Sequence, residues 1–267
     1  MRYPLSLWLL SALGVMGWGG VAWADEPLTA RSGPNTVALI ELYTSEGCNS
    51  CPPADTWVSS LPQRGFTPDR VVPLALHVDY WDYLGWEDRF AQPQFTQRQR
   101  DISTRHRSRT IYTPQLVFQG EDFRSWRSLE ERLQTINATA AQADLRLHVI
   151  MEEPTRLEIT AEATVPEAGN RQHAQLHVAL YENNLSSDVK AGENRGRVLQ
   201  HDYVVRRWFG PFDVNSEGLA RLQRTLPLER EWQKANLGVA MFVQNHRSGD
   251  VLQALALPLT EAHGKGN

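Results

Sequence analysis

Cysteine occurs twice in this chain, at Cys48 and Cys51, with only Asn49 and Ser50 between them. A thiolate is the nucleophile of disulfide exchange, and a second thiol three positions away is close enough to resolve the mixed disulfide. Cys48 is the candidate attacking thiol and Cys51 the resolving one. The pair lies between a strand-forming run and a helical pattern, so Cys48 falls near a helix N-terminus, where the helix dipole favours a thiolate. Pro52 and Pro53 suit the first helical turn, where a missing N–H costs little. Two other chemistries compete. Structural zinc would need two more soft ligands at matching spacing, and there is no second cysteine pair and no nearby H-x-x-x-H. An inert structural disulfide is the second alternative, although a bridge closing so small a loop constrains the unfolded chain little.

The elements that must hold the pair are legible around it. Thr36 through Tyr43 is a near-continuous apolar run rich in strand formers, as in a buried central strand. Ala54, Trp57, Val58 and Leu61 recur at helical spacing until Pro62 stops the pattern. Val71 through Val78 reads as a second buried strand. The polar, Arg- and Gln-rich segment 87–109 reads as helix with a break near Pro93. Gln115–Phe118 is a third strand, a short fourth follows Gly120, and Ser128 with Glu131 matches a capping box before a last helix. This order, β-α-β-α-β-β-α, covers residues 35–142. His77, Asp79 and Trp81 follow the second strand. If that strand runs parallel to the first, they emerge at the edge that carries Cys48, where open parallel sheets bind ligands. His77, Asp79 and Trp81 are therefore substrate-binding candidates.

From residue 144 to 260 the period changes to two. Candidate strands are Leu145–Met151, Arg156–Thr164, Ala174–Tyr181, Val198–Trp208, Leu219–Leu226, Leu237–Val243 and Val251–Leu257. Their spacing, with intervening Gly, Asn and Pro, predicts a β-rich, sandwich-like second domain. Residues 182–196 read as a polar loop. No flexible linker marks the boundary, so the halves are expected to pack tightly.

The first 24 residues have the layout of a signal peptide: Arg2, an apolar run from Leu5 to Val21, and Ala22-Trp23-Ala24 as the cleavage site. No later run is long and apolar enough to span a membrane, so none is expected after cleavage. The chain of 267 residues carries a net charge of −4 with scattered basic residues, which excludes a nucleic-acid footprint. Export to the periplasm or medium places the cysteines in an oxidising compartment.

The strand, the C-x-x-C at a helix start and Tyr112-Thr113-Pro114 before another strand together resemble the thioredoxin fold. The resemblance implies a cis Thr113–Pro114 bond facing the cysteines, with Thr113 pairing to an extended substrate and Pro114 shaping the groove. The interval from Cys51 to Pro114 exceeds the usual one, which implies a helical insertion of about residues 81–109. Thioredoxins also bury an acid that relays a proton for the second cysteine. Glu41 stands in that strand, seven positions before Cys48 where six is usual.

A closer match extends over almost the whole mature chain. Glu41 through Asp55, His77 through Trp86, Tyr112 through Gln115, Gly192 through Arg197 and His201 through Arg206 resemble a family of secreted bacterial proteins, domain-of-unknown-function family 1223. The resemblance implies the fold and supplies no substrate.

The expected architecture is thus an α/β thioredoxin-like domain with a helical insertion, followed by a β-rich domain. The expected function is exported thiol–disulfide exchange with protein thiols or small thiols. Its candidate catalytic residues are Cys48, Cys51, Glu41 and Pro114. Thr113, His77, Asp79 and Trp81 are assigned to substrate binding, and no cofactor or resident metal is assigned. The competing reading is a non-catalytic binding module, or Cu(I) handling through Cys48, Cys51 and His77.

Overall fold

The computed structural model describes residues 27–152 and 155–259. The expected signal peptide, residues 1–24, and residue 260 lie outside the described residues.

The strand-rich runs fold as their composition dictates. The strands are β1 (Leu28–Arg31), β2 (Ala38–Thr44), β3 (Val71–His77), β4 (Gln115–Phe118), β5 (Glu121–Asp122), β6 (Asp144–Glu152) and β7 (Arg156–Thr164). Then follow β8 (Ala174–Glu182), β9 (Leu185–Asp188), β10 (Val198–His201), β11 (Val204–Asp213), β12 (Leu219–Pro227), β13 (Leu237–Asn245) and β14 (Val251–Pro258). The helices are α1 (Pro52–Ser59), α2 (Pro93–Arg105), α3 (Leu129–Asn137) and the short α4 (Ala168–Arg171). The result is a β-rich fold on a mixed sheet with few helices.

Strands β2 and β3 are buried along their whole length, as apolar runs covered on both faces must be. They pair in parallel, from Ala38↔Val71 to Thr44↔His77. Their C-terminal ends therefore open on one edge. β4 adds antiparallel to β2, and β5 to β4.

The sheet does not stop at the expected boundary between residues 142 and 144. β11 lies beside β3, parallel at Val204↔Ala75, and β8, β13 and β14 follow antiparallel. One eight-stranded sheet, in the order β14-β13-β8-β11-β3-β2-β4-β5, thus runs through both halves of the sequence. A second sheet, β1-β6-β7-β12, covers its C-terminal part. Alternating Leu145, Leu147 and Val149 with Leu157, Ile159 and Ala161 meet Leu176, Val178, Val239 and Met241 in the core between them.

Several boundaries differ from the sequence reading. Pro93 begins α2 at its first turn instead of breaking a longer helix, because its missing N–H is harmless there. Ser128 precedes α3 but makes no side-chain cap bond. The run Val198–Trp208 divides into β10 and β11 at Asp202-Tyr203, where Tyr203 adopts φ 58°. The expected loop 182–196 contains β9, which pairs with β10.

The two faces of β2 receive different helices. Ala38, Ile40 and Leu42 pack with Ala54 and Val58 of α1. Leu39 and Tyr43 pack with Phe95 and Ile102 of α2. This alternation decides which side chains of β2 and β3 reach the cysteines.

Candidate functional site

Cys48 and Cys51 form a disulfide at the turn from β2 into α1. Cys51 is the N-cap residue, and its carbonyl accepts from the N–H of Ala54 and Asp55. The Ser50 hydroxyl lies 3.4 Å from Cys48 Sγ. Both cysteines are 0% exposed, while Asn49 and Ser50 between them face solvent.

The second half of the chain pins the backbone of the cysteine loop. Asn194, fully buried, donates from Nδ2 to the carbonyls of Glu46 (2.8 Å) and Cys48 (2.9 Å). Glu193 Oε2 accepts from the Asn49 N–H at 3.0 Å. Gly47 completes the close packing. A Cβ there would stand 3.0 Å from Trp81 Cβ, so the site excludes a larger residue without movement.

Trp81 also donates from Nε1 to Thr113 Oγ1 at 2.7 Å, so it links the cysteine loop to the Thr113–Pro114 segment. The Thr113–Pro114 bond is cis. Buried Gln99 of α2 fixes the same segment by donating to Tyr112 O and Gln115 Oε1, both at 2.8 Å. Pro114 lines an open cleft with Tyr112, Leu116, Phe123, Arg124 and Trp126. Asp79 turns aside and accepts from Thr96 Oγ1 at 2.5 Å.

Glu41 is not brought to the cysteines, which corrects its assignment as proton relay. It projects from the α2 face of β2, opposite α1. Arg98 of α2 grips both its oxygens, Nε–Oε1 at 2.5 Å and Nη2–Oε2 at 3.0 Å. The carboxylate is thus committed to Arg98 on the face of β2 away from α1.

His77 and Asp55 occupy the other face. His77 ends β3, and Asp55 stands one helical turn after Cys51. β10 packs on α1 and brings His201 between them. His77 Nδ1 pairs with Asp88 Oδ2 at 2.7 Å. His201 Nδ1 faces Asp55 Oδ1 at 3.7 Å, and its Nε2 faces Glu46 Oε1 at 3.5 Å. Thr44 Oγ1 donates to Asp55 Oδ2, and Trp86 Nε1 to Glu46 Oε2. Phe90 closes the pocket, its ring 5.2 Å from that of His77 and 5.8 Å from that of His201.

The electrostatics follow. Burial opposes a charge on His201, but Asp55 and Glu46 outweigh it and push its pKa up to about 9. Burial likewise opposes ionisation of Glu46, yet the nearby His201 ring and the bond from Trp86 hold it below the usual carboxylate range. Asp88 is also held low, burial being outweighed by His77.

The chain matches a protein-family model described as "Protein of unknown function (DUF1223)" over residues 39–244. The protein belongs to this family. Two solved structures are similar to the chain in fold. Protein AGR_C_4864 from Agrobacterium tumefaciens is 25% identical, with TM-score 0.60, covering 88% of this chain and all of that one. HBP35 of Porphyromonas gingivalis is 14% identical, with TM-score 0.65, covering 88% of this chain and 80% of that one, which is a likeness of fold alone. No curated protein sequence matches.

The matched DUF1223 segment contains the whole site. Sequence reasoning placed Cys48, Cys51, His77, Trp81 and Thr113 in it. It did not assign Glu46, Asp55, Asp88, Asn194 or His201, although four of these five fall in the segments that carry the family resemblance. Among the described residues, the group of His, Cys, Asp and Glu side chains close enough to share an ion is Asp55, His77 and His201, which contains neither cysteine. No helix among the described residues is long and apolar enough to cross a membrane.

Proposed function

We propose that the protein is an exported thiol–disulfide oxidoreductase on a thioredoxin-like core of β2, α1, β3 and β4. The observation that carries this reading is the Cys48–Cys51 disulfide at the strand-to-helix turn, beside the parallel edge and linked through Trp81 to Thr113. In the oxidised protein a substrate thiolate attacks Cys48 Sγ and Cys51 leaves as a thiolate. A second substrate thiolate then attacks the mixed disulfide and releases Cys48. The substrate dithiol loses two electrons and two protons, and the protein disulfide gains the electrons. Every step reverses with a substrate disulfide. Ser50 stands close enough to donate to the Cys48 thiolate.

Cys48 is buried, so exchange requires the packing around the loop to open, and the segment 192–197 is bonded to that loop. The Asn194 and Glu193 bonds hold the loop in place. Losing about 1.4 kcal/mol of that hold would raise the open population about tenfold.

The test is a Cys51→Ala variant expressed in the exporting cell, with capture of whatever is disulfide-linked to Cys48. Recovered mixed disulfides, with roughly tenfold faster reduction of the wild-type disulfide by dithiothreitol after Asn194→Ala, are the expected results. A folded protein whose disulfide resists reduction, together with no captured partner, overturns the reading in favour of a structural bridge.

A further inference from the structure

We propose that Asp55, His77 and His201 form a binding site for a divalent first-row transition metal ion, separate from the cysteine pair. The inference does not depend on the redox reading above.

The donor atoms are assembled from three rigid elements. Asp55 comes from α1, His77 from the end of β3 and His201 from the end of β10, and one ligand atom from each lies within 4.8 Å of the others. Ligands about 2.0–2.2 Å from a zinc-sized ion stand roughly 3.3–4.3 Å apart across it, so small adjustments close the site. All three residues are buried, His77 at 0% and His201 at 2% exposure.

The polar atoms that remain without a hydrogen bond point to a missing partner. They include His77 Nε2, both ring nitrogens of His201 and Glu46 Oε1. Buried groups of this kind cost roughly 1–3 kcal/mol each when unmade, and native proteins rarely leave several together. A purely internal account would make His201 an imidazolium bonded to Asp55 and Glu46. Charge-assisted bonds would then close to about 2.7–2.9 Å. The observed separations are 3.7 and 3.5 Å. The 3.7 Å gap between His201 Nδ1 and Asp55 matches an edge of a tetrahedral coordination sphere better than a hydrogen bond.

The surrounding shell has the form that metal-bound histidines require. The second nitrogen of a ligating imidazole is normally held by a carboxylate, which fixes the tautomer. Asp88 does this for His77 at 2.7 Å, leaving Nε2 to coordinate. Glu46 Oε1 faces His201 Nε2 at 3.5 Å, from where a small shift of the ring would make the corresponding bond and leave Nδ1 to coordinate. Asp55 is oriented in turn by the Thr44 hydroxyl. Three buried carboxylates, Glu46, Asp55 and Asp88, surround two imidazoles, and a dication offsets their excess negative charge. Two imidazoles and one carboxylate suit Zn²⁺, Fe²⁺ or Cu²⁺ rather than Ca²⁺, Mg²⁺ or Cu(I).

The experiment uses the purified protein with its disulfide intact, stripped by chelator and titrated with Co²⁺ and then Zn²⁺. The expected result is one equivalent of Co²⁺ giving visible d–d bands without thiolate charge transfer, displaced by Zn²⁺. His77→Gln and His201→Gln should each weaken Zn²⁺ binding at least about 100-fold, and Asp88→Asn about 10-fold. Cys48→Ser/Cys51→Ser should still bind one equivalent. In case a histidine variant fails to fold, imidazole ¹⁵N spectra of the wild type provide a second measurement. Zn²⁺ should shift two of the eight histidines. Absence of binding to the oxidised protein, binding unchanged by both histidine variants, or shifts confined to other histidines overturns the proposal. Loss of binding only when the cysteines are replaced also overturns it.

Discussion

Two buried charged centres flank the same pair of strands, and they are built on opposite terms. On the α2 face, Glu41 and Arg98 meet in a bidentate pair, with Gln244 Oε1 accepting a further bond from Arg98 and Tyr43 donating to Glu41. Trp208 and Phe242 cover the guanidinium, 5.0 and 5.3 Å from its carbon. On the α1 face, His77, His201, Asp55 and Glu46 gather with gaps of 3.5 and 3.7 Å and several unmade bonds. The first centre is complete within itself, as a structural ion pair must be to survive burial. The second is organised but unfinished. That contrast, more than the presence of ionisable residues, separates scaffold from site in this molecule.

The comparison can be broken most directly at the closed centre. Arg98→Met should destabilise the protein by about 3–5 kcal/mol, because it strands the Glu41 carboxylate in the core. The double variant Glu41→Leu/Arg98→Met should recover most of that loss. Urea unfolding of the single and double variants checks the cycle, and equal losses in both would show that the pair is not self-contained. At the open centre, Asp88→Asn should cost about 2 kcal/mol, since one oxygen that now accepts from His77 or from the backbone becomes a donor. Thermal melts read this against wild type; no change would mean that Asp88 does not anchor His77.

A pH effect sharpens the contrast further. His177 stacks on Phe242 beside the closed centre. Burial, reinforced by the charges of Arg98 and Arg105, pushes its pKa well below the usual value. It is neutral in the folded protein. Above its unfolded pKa of about 6.5 it carries no penalty. As pH falls below that value, the unfolded chain takes up a proton that the folded one refuses, and stability drops about 1.4 kcal/mol per pH unit. His177→Phe should remove that share of the slope between pH 7 and pH 5 in denaturation midpoints. An unchanged slope would place the acid sensitivity elsewhere. The smallest effect belongs to Tyr43→Phe. Its bond to Glu41 is 3.3 Å long and Arg98 already holds both oxygens, so the cost should stay below about 1 kcal/mol by chemical denaturation. A larger loss would show the centre to be less complete than its geometry implies.

Local patterns in the sequence carried the reading as far as local physics reaches. The apolar runs of β2 and β3 and the helix after the cysteines were legible from periodicity and turn residues, and the cis Thr113–Pro114 bond from resemblance. Glu41 shows where such reading fails. Side chains in a strand alternate faces, so an offset of one position from the expected relay residue turns the carboxylate away from α1 and into the grip of Arg98. His201 was beyond reach for a different reason. Its approach to His77 depends on β11 pairing with β3, a contact between distant parts of the chain that no local pattern encodes. Asn194 was hidden inside a segment whose polarity reads as solvent-facing loop, yet it is fully buried because its amide satisfies two carbonyls at once.

The eight-stranded sheet has a consequence for how the chain comes apart. Its backbone ladder runs from β2 through β3 and β11 to β8, stitching the first half of the polypeptide to the second. A cut in the backbone near residue 143 would sever the covalent thread and leave that ladder intact. The two fragments would stay clasped as one particle, and either one made alone would present an unpaired row of amides where its counterpart belongs.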